Sequence, residues 1–244
     1  MTKTFSAKKI ISAIVVLSVL LCSMAVYGTV STNAAAKSVS LYSTNLIFQK
    51  YGAGTYEVYV KTDGATNHQN VYVHYHDYGD KAWDDAKATE FATLDDGSII
   101  WKATVVSHQL KFAIKYVADG VTYWDNNGSK DYTLEDTGCA PIYSKRLGYN
   151  YGSGVKINAV LQNYAYEKDV KVRYTTDNWA SYNDAPLSYV NTKADGTETW
   201  TVTLNVDKAQ LDGFEYALSY TVDGETYWDN NFGKNYDRYF YIFR

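Results

Sequence analysis

The chain has 244 residues, enough for two domains of about 100 after a leader, and its formal charge is -4, from 27 acidic and 23 basic residues. An acidic chain without a basic tract argues against a nucleic-acid partner, and 25 tyrosines, six tryptophans and only two prolines suit pleated, half-buried surfaces rather than helices. Of the two cysteines, Cys22 lies in the N-terminal apolar segment, so the body of the chain has Cys139 alone and must be stabilised by packing without an internal disulfide.

Residues 1–36 read as a secretory signal peptide. Lys3, Lys8 and Lys9 precede an apolar stretch over 10–26, and Ala34-Ala35-Ala36 supplies the small residues needed at a cleavage site. A single membrane anchor is the alternative, at the lower length limit for spanning a bilayer. Beyond that segment no membrane association is expected. Cleavage removes three lysines and no acids, which makes the mature protein more acidic.

The first domain is expected over 38–136. Alternating apolar and polar residues predict strands over 56–61, 71–75, 99–106 and 110–117, with Asp96-Gly97 and Asp119-Gly120 as tight turns. His74-x-His76 puts two imidazoles on one strand face, but no third ligand is evident and no metal site is expected. Residues 137–146, with Gly138 and Pro141, read as a short linker that restricts domain orientation. The second domain, 147–244, repeats the plan with strands over 155–161, 170–174, 199–204 and 214–222, a hairpin through Asp223-Gly224 to 226–228, and a closing strand over 236–243. The fold class is therefore all-β, two tandem antiparallel β-sandwiches after an N-terminal signal peptide.

The duplication is explicit in the residues. Tyr116-x-x-Asp119-Gly120-x-Thr122-Tyr123-Trp124-Asp125-Asn126-Asn127 returns as Tyr220-x-x-Asp223-Gly224-x-Thr226-Tyr227-Trp228-Asp229-Asn230-Asn231, and Lys130 and Tyr132 match Lys234 and Tyr236. Over 116–132 the repeat holds at 11 of 17 positions, the mark of a duplicated structural unit. An indole followed by an acid and two amides offers a flat apolar face beside hydrogen-bonding groups, which is what a sugar ring needs. Asn126, Asn127, Asn230 and Asn231 offer donors and acceptors for vicinal hydroxyls, and Lys130 and Lys234 add charged donors. Asp125 and Asp229 are expected to stabilise their loops, and Trp101, Trp200, Tyr116, Tyr132, Tyr220 and Tyr236 to pack in the sheets.

Both copies resemble the starch-binding domains of carbohydrate-binding module family 21, a family also found in glycogen-targeting subunits of protein phosphatase. The second copy carries the fuller pattern, Val160-x-x-Asn163-x-x-Tyr166-Glu167-Lys168-x-Val170-x-Val172-Arg173-Tyr174-Thr175-x-Asp177-x-Trp179 and Trp228-Asp229-Asn230-Asn231-x-Gly233-x-Asn235-Tyr236. The first keeps Tyr75, Asp80-x-x-Trp83 and Trp124-Asp125-Asn126-Asn127. The resemblance implies an immunoglobulin-like sandwich that binds α-1,4-glucan without cleaving it. It implies one ligand site at Trp179 with Trp228, and its equivalent at Trp83 with Trp124; the position of a third aromatic is filled by Ala113 and Ala217. It implies a second site at Tyr166 and Tyr189, for which Phe91 is the first copy's counterpart.

The expectation is a secreted, non-catalytic protein that holds starch or a related α-glucan through two modules, with no cofactor. A separate amylolytic enzyme is a candidate partner, and cell-surface association remains open. Two alternatives stand beside it: a structural or adhesion protein built from sandwich spacers, and an accessory subunit of a glycoside hydrolase. A hydrolase itself is disfavoured, because Asp84-Asp85, Asp95-Asp96 and Glu135-Asp136 lie in turn-like segments without full counterparts in the repeat. Exposure of Trp83, Trp124, Trp179 and Trp228 separates glycan binding from a spacer role.

Overall fold

The computed structural model describes residues 38–64, 68–77, 82–145, 149–150 and 154–237, the pair 149–150 by backbone alone. The expected signal segment, Asp80, and all but the start of the expected closing strand lie outside the described residues.

Two β-sandwiches follow one another. The first is built from β1 (Val39–Lys50), β2 (Ala53–Thr62), β3 (Gln69–His76), β4 (Asp84–Lys87), β5 (Thr89–Thr93), β6 (Ile99–Ser107), β7 (Lys111–Ala118), β8 (Val121–Asp125) and β9 (Tyr132–Thr133). The second is built from β10 (Ile142–Lys145), β11 (Tyr149–Asn150), β12 (Gly154–Leu161), β13 (Lys168–Thr175), β14 (Asn183–Pro186), β15 (Ser188–Thr192), β16 (Glu198–Leu204), β17 (Glu215–Val222), β18 (Glu225–Asp229) and β19 (Tyr236–Asp237). The first domain pairs a β1-β2-β6-β5 sheet with a β4-β3-β7-β8 sheet, and the second pairs β10-β12-β16-β15 with β14-β13-β17-β18. Strand order is thus the same in both copies, and the pairings are antiparallel throughout.

Period-two alternation explains the central strands. On β7, Phe112, Ile114 and Tyr116 are fully buried while Lys111 and Lys115 face out; on β17, Tyr216, Leu218 and Tyr220 take the same inward places. These residues close the cores with Val58, Val60, Val71 and Val73 in the first domain, and with Ile157, Leu161 and Val172 in the second. Trp101 is buried and donates its indole N–H to Thr62, while the half-buried Trp200 donates to Glu198. Both are core residues, as the alternation implied.

Four features depart from the reading of the sequence, the first being β1, a strand of twelve residues that it did not predict. Edge strands β4, β5, β14 and β15 carry four or five mostly exposed residues each, so they have no apolar period to detect. A 3-10 helix, Lys208–Gly213, lies between β16 and β17. Part of the expected linker is itself a strand, because 142–145 forms β10 and pairs with β12.

The rest of the linker is zipped onto the first domain. Cys139 N–H donates to Leu41 O at 2.8 Å and Ala140 N–H to Tyr42 O at 3.0 Å. Gln162 Nε2 donates to Gly138 O, and Lys193 Nζ reaches Glu135 O and Thr137 Oγ1. Tyr42 packs against a small cluster of Ala140, Tyr143 and Val160, so apolar contact crosses between the domains. Gly138 makes this approach possible: a β-carbon there would lie 2.2 Å from Tyr42 O, backbone that cannot swing away. Gly138→Ala is therefore expected to destabilise the protein by about 1–3 kcal/mol, measured by urea unfolding; a midpoint equal to the wild type's would contradict the close packing.

Candidate carbohydrate-binding site

The repeated Trp-Asp-Asn-Asn segment forms the same loop twice, and its second residue is the anchor. Asp229 Oδ2 accepts the N–H of Ser144 at 2.7 Å, both carboxylate oxygens accept the Tyr236 hydroxyl at 2.9 Å, and Oδ1 accepts the N–H of Asn231 at 3.2 Å. Asp125 does the same with Leu41 N–H, the Tyr132 hydroxyl and Asn127 N–H. The second asparagine also belongs to the loop: Asn127 and Asn231 adopt left-handed φ near 50°, which asparagine tolerates, and donate their amides to Asp131 O and Asn235 O. Asn126 and Asn230 use only their carbonyl oxygens inside the loop, accepting from Ser129 N–H and Gly233 N–H.

With the loop fixed, Trp228 stands on the outward face of the β14-β13-β17-β18 sheet. It lies opposite Ser219, while Arg173 lies opposite Ala217 and Asp184. Arg173 binds Asp184 through Nε and Nη2, both at 2.8 Å. That bidentate bond holds Asp184 below the usual carboxylate range. The guanidinium carbon sits 4.4 Å from the Tyr182 ring centroid and 5.3 Å from that of Trp228. Tyr182 is 57% and Trp228 49% exposed, so two open rings flank one planar cation above the small Ala217.

Trp179 lies on the same face. Its indole N–H donates to Glu215 Oε2 at 2.6 Å, and Glu215 also accepts from Asn235. Glu215, Ala217 and Ser219 alternate outward along β17, so Trp179 and Trp228 stand beside positions about 13 Å apart at 3.3 Å per residue, with Ala217 between them. Three aromatics and Arg173 thus line a shallow outward face.

The first domain builds the corresponding face differently. His74 lies opposite Ala113 and stacks on Trp83 at 5.0 Å and 12°, with its edge toward Trp124 at 5.3 Å and 74°. Asp85 accepts from His74 Nδ1 at 2.6 Å and from Lys115 Nζ at 2.9 Å. Burial pulls the Asp85 carboxyl upward, but the Lys115 and His74 bonds outweigh it and leave it below the ordinary range. His74-x-His76 is accounted for by this cluster; among the described residues no group of three or more metal-ligating side chains is placed to hold an ion.

Tyr182 is the residue the sequence reading missed. Trp83 directly precedes β4 as Tyr182 directly precedes β14, and the two are 99 residues apart, the same spacing as Trp101 and Trp200. The paired Asp-x-Trp and Asp-x-x-Trp patterns pointed to Trp179 as the counterpart. Counting 99 from Trp83 would have found Tyr182.

The other expected residues fall in separate places. Tyr166 is 91% exposed, and Tyr189, on β15, is half open with its hydroxyl bonded to Thr192 and its ring edge-on to Trp200. Phe91 is turned to the domain interface, where it meets Phe232 at 5.3 Å. Lys234 Nζ lies 4.5 Å from the same Phe91 ring, so these two candidates touch each other across the interface. Lys130 is exposed.

An antiparallel sandwich with exposed aromatics beside hydrogen-bonding side chains on one sheet face is the form of a carbohydrate-binding module. Residues 154–238, which span most of the second domain, match the family model described as Carbohydrate/starch-binding module (family 21). The chain is 42% identical over 80 residues to human protein phosphatase 1 regulatory subunit 3B, spanning 31% of this chain and 28% of that protein. Two solved structures resemble it. One is the starch binding domain of Rhizopus oryzae glucoamylase in complex with beta-cyclodextrin and maltoheptaose, 25% identical, covering 44% of this chain and 99% of that one, with a TM-score of 0.35. The other is the carbohydrate-binding module of the muscle glycogen-targeting subunit of protein phosphatase-1, 29% identical, covering 39% and 73%, with a TM-score of 0.34.

The anchor has a pH signature. Burial pushes the Asp229 carboxyl up to about 6 despite the bonds from Ser144, Tyr236 and Asn231. The folded state then holds this proton more tightly than the unfolded chain, so Asp229 contributes fully below about pH 4 and its contribution declines as pH rises through about 6. About two pKa units correspond to a decline on the order of 3 kcal/mol. Asp229→Asn does not ionise and is expected to lose that slope in urea unfolding at about pH 4 and 7; an unchanged slope would place the titration elsewhere.

Proposed function

We propose that the protein is a secreted, non-catalytic binder of starch- or glycogen-type α-1,4-glucan that uses the outward faces of both domains. The observation that carries this reading is the open pair Tyr182 and Trp228 on either side of Arg173, with Trp179 farther along the same face. A pyranose presents C–H groups on its faces and hydroxyls at its rim. The rings supply stacking surfaces, and Arg173, Asp184 and the free amide of Asn230 supply rim contacts. The choice of α-glucan rests on the family of the second module. The first domain joins the proposal through Trp83, His74 and Trp124, and two linked modules raise retention on a polymer by effective concentration.

The ion-paired carboxylates on these faces support binding without cleavage. A glycosidase needs a general acid with a raised pKa beside a second carboxyl group, whereas Asp184 and Asp85 are both held ionised by cationic partners. Secretion rests on the N-terminal apolar segment. The relative named as a regulatory subunit of protein phosphatase 1 favours a phosphatase over an amylolytic enzyme as partner, yet the chain spans only 28% of its length. The glucan is therefore the ligand, and a protein phosphatase is the second reading of the partner.

Tyr182→Ala and Trp228→Ala are each expected to weaken binding by about 1–3 kcal/mol, the range found when an aromatic platform under a stacked ring is removed. Affinity electrophoresis in amylopectin measures this, with cellulose, chitin and xylan pull-downs as controls. Wild-type retardation in both variants would overturn the assignment of this face, and release of reducing sugar from starch would overturn the non-catalytic reading.

A further inference from the structure

The second-domain loop also reaches the first domain. Phe232 has a left-handed backbone, φ 54°, where the first copy has Gly128 at φ 63°. A residue bearing a β-carbon costs on the order of 1–2 kcal/mol there, and its ring is held by Tyr59 at 5.4 Å, Tyr42 at 5.8 Å and Phe91 at 5.3 Å. These contacts pin the Trp228–Phe232 segment against the neighbouring sandwich. They enclose a cleft of about 260 Å³ with Tyr42, Tyr59, Thr93 and Asp95 on one side and Trp228 and Asn230 on the other.

We propose that this interdomain cleft is a carbohydrate subsite, in which a glucan chain lying on Trp228 continues onto the first domain. This rests on the glucan reading of the outward face and extends it. Trp228 is common to both surfaces and is half open, so the platform and the cleft are continuous. The chemistry of the walls is that of a sugar site. Asp95 and Thr93 are exposed, Asn230 commits its side-chain carbonyl to Gly233 while its amide N–H groups meet no acceptor among the described residues, and the partly exposed Tyr42 supplies apolar surface. The volume is just under the roughly 300 Å³ at which pockets for drug-sized ligands begin, and it suits one or two hexose rings. The pseudo-equivalent cleft on the other side of the interface, about 180 Å³ and lined by Asp125, Tyr132, Asp195 and Thr197 among others, has no tryptophan in its wall. Of these two clefts among the described residues, the larger connects to an indole platform.

Titration calorimetry of the full chain carrying Trp83→Ala, which leaves the second-domain face as the main site, tests the proposal with maltose and maltoheptaose. In that background, Asp95→Ala and Thr93→Leu, two exposed first-domain changes, are expected to weaken maltoheptaose about 3- to 10-fold, the loss of one or two hydrogen bonds, and to leave maltose unchanged. Wild-type affinity for maltoheptaose in both variants, while Trp228→Ala abolishes it, would make the cleft a plain domain seam and overturn the subsite. Absence of any malto-oligosaccharide binding by the unmodified protein would overturn the glucan reading and the subsite with it.

Discussion

One carboxylate in each domain holds the architecture to its surface chemistry. Asp229 ties the loop after β18 to the first strand of its sandwich through Ser144, and to β19 through the Tyr236 hydroxyl. Asp125 repeats the arrangement with Leu41 and Tyr132. A carboxylate largely withdrawn from water is tolerated only when its oxygens are well supplied with donors, and here the donors come from three different parts of the chain. The indole directly before each aspartate is thereby set on the outer face of its sheet, where Trp228 lies against Arg173 and Trp124 against His74. Stability and the proposed ligand surface share one residue.

The same loop links the two sandwiches. In the second domain it carries Phe232 into the rings of Tyr42, Tyr59 and Phe91, and Lys234 onto Phe91. The zipped linker and the close approach at Gly138 fix the opposite end of the contact. The two sandwiches therefore differ at this loop. Gly128 in the first copy leaves its loop free of such a ring, while Phe232 accepts a costly backbone conformation in exchange for aromatic contact with the neighbour. On the outer faces, the pair His74–Asp85 stands where Arg173–Asp184 stands in the second copy. A nitrogen donor side chain paired with a carboxylate between two rings is common to both, imidazole in one and guanidinium in the other.

Much of this was legible in the chain. Central strands such as β7 and β17 are written in strict alternation, and the repeated Tyr132 and Tyr236 mark the packing partners of the anchoring aspartates. Trp228 was legible because an indole next to a polar loop is a poor core residue. Edge strands β14 and β15 were not legible, because their residues face solvent and follow no period. Tyr182 escaped because a change from tryptophan to tyrosine hides the equivalence, and the 3-10 helix Lys208–Gly213 shifts the repeat spacing from 99 to 104 residues between Trp200 and Trp228. Phe91 looked like a sugar contact because only the partner domain reveals what covers it. Side chains whose environment is another domain carry no local signal of that fact.

The indole N–H signals of the six tryptophans in a nitrogen-15 labelled sample, followed during a maltoheptaose titration, test the central claim most directly. Trp228 and Trp179 are expected to shift, together with Trp83 and Trp124 of the first face, while the core indoles Trp101 and Trp200 stay in place. A titration that leaves Trp228 and Trp179 unmoved as the sugar binds would contradict the assignment of the ligand surface.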